Sequence, residues 1–272
     1  KHILLNEILG ESCDVGQQLI STSDLKEAAD GGRKNDYAKC ANFAIHQHVP
    51  VVAGIDWGGG GQDEVSYTVM TIATAVAGKP EILYAFKFPS ISDHIDEAQK
   101  IIDLFKDFNC NFISHDYNGA GSVRETLLIQ KGLPIEKIVP MQYTKVTRKP
   151  ILSYESPKNK EARGIYHLDK TRSLLLIAHM IKTKEVQLPD YETSKHCLDD
   201  WLSLREEQKD SPTGSGSHII TNKPLKRSKS DRVGSGVVKP DDFAHAMNFA
   251  LCTYFHATQN WPHFAKQLER AV

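Results

Sequence analysis

The segment HVPVVAGIDWGGGG, residues 48–61, constrains this chain more than any other. Its apolar run at 51–55 is too short for a helix and is bounded by Pro50 on one side and an acid with four glycines on the other, the pattern of a buried strand that meets a tight loop. The strand delivers Asp56 at its carboxyl end. Two β-rich runs follow, SYTVMTIATAVAG and KPEILYAFKFPS, joined at Ala77-Gly78-Lys79-Pro80 as an antiparallel hairpin. Ser92 offers an N-cap, and Ile95, Ala98, Ile101, Ile102 and Phe105 recur at helical spacing through Phe108. The next strand, CNFISHDYN, again ends in an acid, Asp116. Gly119 and Gly121 then turn the chain into a helix, SVRETLLIQKG, and IEKIVPMQY supplies a further strand. The expected order is β-β-β-α-β-α-β.

Beyond Tyr143 the texture becomes basic and less regular, with eight Lys or Arg against three acids between residues 145 and 172. Helices are expected over 169–182 and 193–208, and a loop or hairpin over 210–240, where Ser, Gly, Pro and Lys dominate. A last helix, DDFAHAMNFALCTYFHA, starts just after Pro240. Residues 1–49 are polar and weakly periodic and read as a lead-in with short helices, which leaves 50–272 as the principal domain.

Acids at the ends of separate strands and at the start of a late helix can be gathered around one point by a sheet. Asp56, Asp116 and Asp242 have that placement. Clustered carboxylates repel unless a cation neutralises them, and hard oxygen ligands suit Mg²⁺ or Mn²⁺. Two such ions about 3.5–4 Å apart activate water and stabilise a leaving oxygen in phosphodiester hydrolysis. Taken singly, each acid also suits a turn or a helix cap, so the joint pattern carries the reading. On a helical period Asp242, His245 and Phe249 share a face at i, i+3 and i+7, while Asp241 points about 100° away. Asp242 with His245 is therefore the expected ligand pair, and Asp241 the cap or supporting acid.

Composition excludes more than it suggests. With 33 Lys plus Arg against 34 Asp plus Glu, a net charge of -1 names no partner. Five cysteines, Cys13, Cys40, Cys110, Cys197 and Cys252, form no C-x-x-C pair, which fits a reducing compartment and makes the cytoplasm the default. No apolar run approaches the roughly 20 residues of a membrane span, and the first residues lack the apolar core of a signal peptide. A chain beginning at Lys1 reads as a piece of something longer. No G-x-x-x-x-G-K-[ST] loop occurs, since the glycines at 58–61 lack the Lys and the Ser or Thr.

The succession GIDWGGGG, FISHDYNGAG, LDKTRSLLLIAHMIKTKEVQLP and KPDDFAHAMNFA resembles the nuclease domain of the large terminase subunit of tailed bacteriophages, in the RNase H-like superfamily. The closing DDFAHA also resembles the last acidic motif of Holliday-junction resolvases. The resemblance spans roughly residues 50–257. It implies an α/β fold with an RNase H-like mixed central sheet, its first three strands antiparallel, flanked by helices. It implies an endonuclease that cuts concatemeric viral DNA during packaging with little sequence specificity, using two Mg²⁺ or Mn²⁺ ions held by Asp56, Asp116 and Asp242. It further implies an N-terminal ATPase domain preceding this chain, portal protein and small terminase subunit as partners, and action in the cytoplasm of the infected host. Residues 1–49 would then be the trailing end of that ATPase domain or a linker, and this chain alone would not hydrolyse ATP.

Contact with double-stranded DNA falls to two basic stretches: Lys145, Arg148, Lys149, Lys158, Lys160 and Arg163, then Lys223, Lys226, Arg227, Lys229 and Arg232. Phosphate neutralisation by such residues gives affinity without sequence readout. In the family a hairpin or loop regulates access to the site, and 211–239 is the expected equivalent. Three other readings compete. A resolvase or transposase-like nuclease would share the acids but select branched DNA or transposon ends. An actin-like or sugar-kinase ATPase needs a second phosphate-binding hairpin with an Asp-Gly pattern, which is not found. A non-enzymatic DNA-binding module predicts binding that survives loss of all three acids.

Overall fold

The computed structural model describes residues 17–58, 66–89, 93–145, 150–157, 159, 163–209, 217–221 and 240–270. The described chain enters through a two-residue strand, β1 (Gln17–Gln18), and two short helices, α1 (Thr22–Ala29) and α2 (Tyr37–Ala44). Each helix starts on a side-chain cap. Ser21 and Asp24 form a reciprocal capping box, and Asp36 accepts from the Lys39 amide. Leu25 and Ala28 of α1 and Cys40 and Ala44 of α2 are buried against the rest of the molecule.

The strands β2 (Val52–Asp56), β3 (Val69–Val76) and β4 (Lys79–Lys87) come next. The hairpin between β3 and β4 turns through Ala77 and Gly78, at φ 50° and 82°. Positive φ at both central residues gives a turn whose twist matches that of the flanking strands. Helix α3 (His94–Asp107), strand β5 (Phe112–Asp116), helix α4 (Gly121–Gln130) and strand β6 (Ile138–Thr144) complete the expected alternation. Asp93 caps α3 by accepting from the Ile95 amide at 2.7 Å, while Ser92, the expected cap, lies outside the described residues.

Past β6 the chain adds two strands that periodicity does not announce, β7 (Leu152–Glu155) and β8 (Ile165–Asp169). LSYE and IYHLD are half-buried or exposed over most of their length, so they lack the apolar run of the inner strands. Helix α5 (Lys170–Lys182) begins one residue later than expected because Asp169 is its cap. The helix expected over 193–208 is a shorter α6 (Tyr191–Leu198), then a 3-10 turn (Asp199–Ser203), then a strand, β9 (Arg205–Lys209). Pairing of β9 with β1 and with β10 (Ser217–Thr221) overrides the charged sequence REEQK. Helices α7 (Asp242–Thr258) and α8 (His263–Arg270) close the fold.

The main sheet has seven strands in the order β4-β3-β2-β5-β6-β8-β7. Strands β2, β3 and β4 pair antiparallel, β2, β5, β6 and β8 run parallel, and β7 is antiparallel to β8. Three antiparallel strands followed by parallel ones, with β2 joining the two sets, make this an RNase H-like mixed sheet. Helices cover both faces: α1, α5, α6 and α7 share one buried cluster with Val52, Val69 and Met141, while α2, α3 and α4 share another with Ala53, Ile55 and Ile113. Alternate residues of β2 thus enter different cores, which is why the run at 51–55 is apolar throughout. Four described cysteines are buried free thiols. Among the described residues no helix is long and apolar enough to cross a membrane.

Helix α7 is buried without interruption from Asp242 to Phe255, because the sheet covers one side and α5 with the 3-10 turn covers the other. Its backbone rests directly on β2. A methyl group on Gly54 would lie 2.2 Å from the Ala246 carbonyl oxygen and 2.4 Å from the Ala250 nitrogen, so only glycine permits this approach.

Candidate active site

Parallel pairing of β2 with β5 aligns Ile55 with His115, so Asp56 and Asp116 stand next in register at the carboxyl edge of neighbouring strands. Pleat alternation sends Ile55 into the core under α3 and leaves Asp56 on the α7 side. Helix α7 begins at Asp242, whose Oδ1 accepts from the Ser66 hydroxyl at 2.8 Å and Oδ2 from the Tyr67 amide at 3.0 Å. Those two residues lead into β3, the other neighbour of β2. The N-terminus of α7 is held from outside: the Asp200 carboxylate accepts from the Phe243 amide at 3.0 Å and pairs with Lys87 at 3.1 Å. Burial pushes the Asp200 carboxyl up to about 6, against the Lys87 charge and the Phe243 amide.

Asp241 stands at the helix N-cap but makes no capping hydrogen bond. On a helical period Asp241 and His245, at i and i+4, are neighbours just as Asp242 and His245 are at i and i+3, so spacing alone does not choose between the two acids. Oδ2 of Asp241 lies 3.1 Å from Nε2 of His245. The other ring nitrogen, Nδ1, lies 2.9 Å from the Tyr143 hydroxyl, which also accepts from the Asn248 amide at 2.9 Å. His245 is thus engaged through both nitrogens with Tyr143 and Asp241, not with Asp242.

The acids act on one another. Burial, and then the charges of Asp242, Asp116 and Asp241, hold the Asp56 carboxyl well above the usual carboxylate range, with Lys170 opposing them. Burial also raises Asp242, against the Tyr67 and Ser66 hydrogen bonds. For Asp241 burial pulls upward, but the His245 hydrogen bond and charge together with Lys170 prevail and lower it. Burial, with Asp56 and Asp116 adding to it, raises the Tyr143 hydroxyl well above its ordinary value.

Among the described residues no three His, Cys, Asp or Glu side chains are already drawn into an ion-sized cage. The side-chain bonds account for this. Asp242 is turned to Ser66 and Tyr67, Asp241 to His245, and Asp116 accepts from the Asn118 amide at 2.9 Å. Asp56 has no donor among the described residues, and it is the acid whose charge is most resisted. Carboxylate oxygens in excess of local positive charge fit a hard divalent cation better than a thiolate-seeking one.

Behind the acids a buried chain of polar contacts ties the two strand ends together. Nδ1 of His115 lies 3.1 Å from both the Trp57 indole nitrogen and the Asp116 carbonyl oxygen, and Nε2 lies 2.9 Å from Glu125. Glu125 pairs with Nε of Arg163 at 3.0 Å, and Nη2 of Arg163 donates to the Ile138 carbonyl at 2.9 Å. Trp57 follows Asp56 and His115 precedes Asp116, so this chain sets the spacing of the two strand ends. Trp57→Phe keeps an aromatic ring but removes the indole donor to His115, which is expected to cost about 1 kcal/mol. Urea unfolding is expected to show that loss, and an unchanged midpoint would remove the contact from the list of stabilising ones.

The basic residues divide. Lys145 is exposed just beyond β6 on the same edge as the acids. Arg163 is turned into the fold by Glu125 and two backbone carbonyls rather than toward solvent. Arg148, Lys149, Lys158, Lys160, Lys223, Lys226, Arg227, Lys229 and Arg232 lie outside the described residues, as does most of 211–239. Sequence reasoning missed Lys170, Tyr143, Ser66 and Asp200. Only Lys170 carries a local signal: a cation in the first turn of a helix opposes the helix dipole and needs another reason to be there.

The sequence matches no protein-family profile and no curated relative. Among solved structures the chain is similar to the large terminase nuclease of thermophilic phage G20c, with TM-score 0.46 and 15% identity over 76% of this chain and 83% of that one. The magnesium-bound form of that nuclease gives TM-score 0.47 and 14% identity over 76% and 82%. The large terminase of a second thermophilic bacteriophage gives TM-score 0.45 and 10% identity, and the match spans 76% of this chain but 40% of that protein.

Proposed function

We propose that the chain is a metal-dependent DNA endonuclease of the large-terminase type, which cuts concatemeric viral DNA during packaging with low sequence specificity. The observation that carries this reading is the placement of Asp56 and Asp116 side by side at the carboxyl edge, under the α7 N-terminus that brings Asp242 and Asp241 within electrostatic reach.

Asp56, Asp116 and Asp242 would hold two Mg²⁺ or Mn²⁺ ions, with Asp241 and His245 beside them. Bound there, such ions supply a water nucleophile at neutral pH and charge stabilisation at the leaving oxygen. The protein's share is orientation. Ser66 and the Tyr67 amide fix the Asp242 carboxylate, and the Tyr143–His245–Asp241 contacts hold Asp241 in its ionised form. Lys145 and the other basic residues of the 145–163 and 223–232 stretches would neutralise backbone phosphates of double-stranded DNA. In the full-length protein an ATPase domain would precede this chain, with residues 1–49 as its trailing end or linker, and portal protein and the small terminase subunit would be partners in the host cytoplasm.

The test is plasmid cleavage in Mg²⁺, Mn²⁺ or EDTA by the wild type and by Asp56→Ala, Asp116→Ala and Asp242→Ala. Cutting that needs metal and all three carboxylates is expected. Cutting in EDTA, or undiminished cutting by the alanine variants, contradicts the reading.

A further inference from the structure

We propose that Lys170, beside Lys145 at the carboxyl edge of the sheet, binds a DNA backbone phosphate a few nucleotides from the bond being cut. This rests on the nuclease reading for the identity of the ligand, but its own evidence is separate. Strands β6 and β8 pair in parallel with Thr144 opposite Asp169 as the last pair, so Lys145 and Lys170 are the residues by which the chain leaves the two strands at the same edge. Two cations therefore stand side by side where the two strands end. Strand β6 is also the neighbour of β5, which carries Asp116, so the cations continue the same edge outward from the acids.

Lys170 is placed to reach the site without becoming part of the acid cluster. Its Nζ lies 5.4 Å from the centre of the Tyr143 ring, and the Tyr143 hydroxyl is 2.9 Å from His245. Its charge opposes the upward shift of Asp56 and contributes to the lowering of Asp241, yet among the described residues it has no ion-pair partner. The backbone of β8 stands three strand spacings from β2 in the sheet, about 14 Å at 4.7–4.9 Å each, and the ammonium leans one strand inward over Tyr143 of β6, two spacings or roughly 10 Å from β2. That is a suitable distance for a neighbouring phosphate, since the backbone of a duplex advances about 3.4 Å per nucleotide on each strand. The adjacent Asp169 is not free to quench this charge, because it caps α5 and pairs with Arg172 at 3.1 Å.

A phosphate contact has a readout that a structural lysine lacks. Each neutralised phosphate contributes close to one unit to the slope of log affinity against log salt. Duplex DNA binding by the full chain would be titrated in Ca²⁺ between about 50 and 200 mM salt for the wild type, Lys170→Gln and Lys170→Arg. Lys170→Gln is expected to weaken binding about tenfold and to lower the salt slope by about one, while Lys170→Arg keeps the slope. A Lys170→Gln protein that binds with wild-type affinity and slope, or a weakened one whose slope is unchanged, overturns the assignment, as does a wild type that binds no duplex. Cleavage by the wild type in Mg²⁺ or Mn²⁺ is scored apart. Its absence would overturn the nuclease reading while the binding comparison still decides Lys170.

Discussion

Asp56→Asn is expected to lower metal-dependent DNA cleavage by about a thousandfold or more, and yet to make the metal-free protein more stable than the wild type. The two effects have one origin. Asp56 is the carboxylate without a donor among the described residues, opposed by burial and by Asp242, Asp116 and Asp241. An asparagine keeps the shape and removes the charge that those neighbours resist, but an amide is a poor partner for a divalent cation. The direction with pH follows from linkage. The folded-state pKa of Asp56 is raised, so between the unfolded value near 4 and that raised value the folded protein holds a proton that the unfolded chain has released. In EDTA the wild type therefore loses stability as pH rises through this window, and Asp56→Asn is expected to flatten that loss. Adding Mg²⁺ or Mn²⁺ above the window should restore the wild type, because an ion that binds only the folded state stabilises it by mass action, and should leave the variant unmoved. Denaturant unfolding at several pH values, with and without metal, reads both effects. A variant that still cuts, or one less stable than wild type in EDTA at high pH, would contradict the account.

How much of this could be read in the sequence depends on the range of the interaction concerned. The sheet is legible from β2 to β6 because each inner strand is an apolar run closed by a turn, and the adjacency of Asp56 and Asp116 follows once β2 and β5 are parallel neighbours. Strands β7 and β8 are not legible, since β7 at the sheet edge and β8 beside it are only partly buried and have no continuous apolar run to betray them. The 193–208 segment misleads for a related reason: REEQK has the composition of an exposed helix, and only pairing with the distant β1 and β10 makes it a strand. At the site, the spacing argument set Asp241 apart from Asp242 but overlooked that Asp241 and His245, at i and i+4, are neighbours as well. The structure turns Asp242 to Ser66 and Tyr67 and leaves His245 to Asp241. Asp200 was invisible because it holds the α7 N-terminus from 43 positions away. Ser66 reaches Asp242 from 176 positions away. Local pattern cannot report either contact.

Gly54→Ala is expected to damage both stability and activity, because it places a methyl group against the backbone of α7. It lies two residues before Asp56, on the face of β2 that α7 crosses, and its added carbon would sit 2.2 Å from the Ala246 carbonyl oxygen and 2.4 Å from the Ala250 nitrogen. Both are backbone atoms inside a fully buried helix, so no rotamer change relieves the contact and α7 itself must move. Replacing a glycine normally gains about 0.4–1 kcal/mol from the stiffer unfolded chain. Overpacking a rigid core costs about 1–3 kcal/mol and occasionally more, and here it should reach about 3 kcal/mol because the clash is with backbone on both sides. The consequence for activity is separate and larger. Any displacement of α7 carries Asp242 and Asp241 away from Asp56, and a misplacement of about 1 Å at a reacting centre costs on the order of a hundredfold. The variant is expected to fold at low temperature, unfold at reduced denaturant concentration, and cut DNA poorly even where it is fully folded. Trimming Ala250 to glycine in the same chain should not rescue it, because the obstructing atoms belong to the helix backbone rather than to a side chain. Rescue by that second change, or wild-type cleavage by Gly54→Ala alone, would show that the separation of β2 and α7 does not set the geometry of the acids.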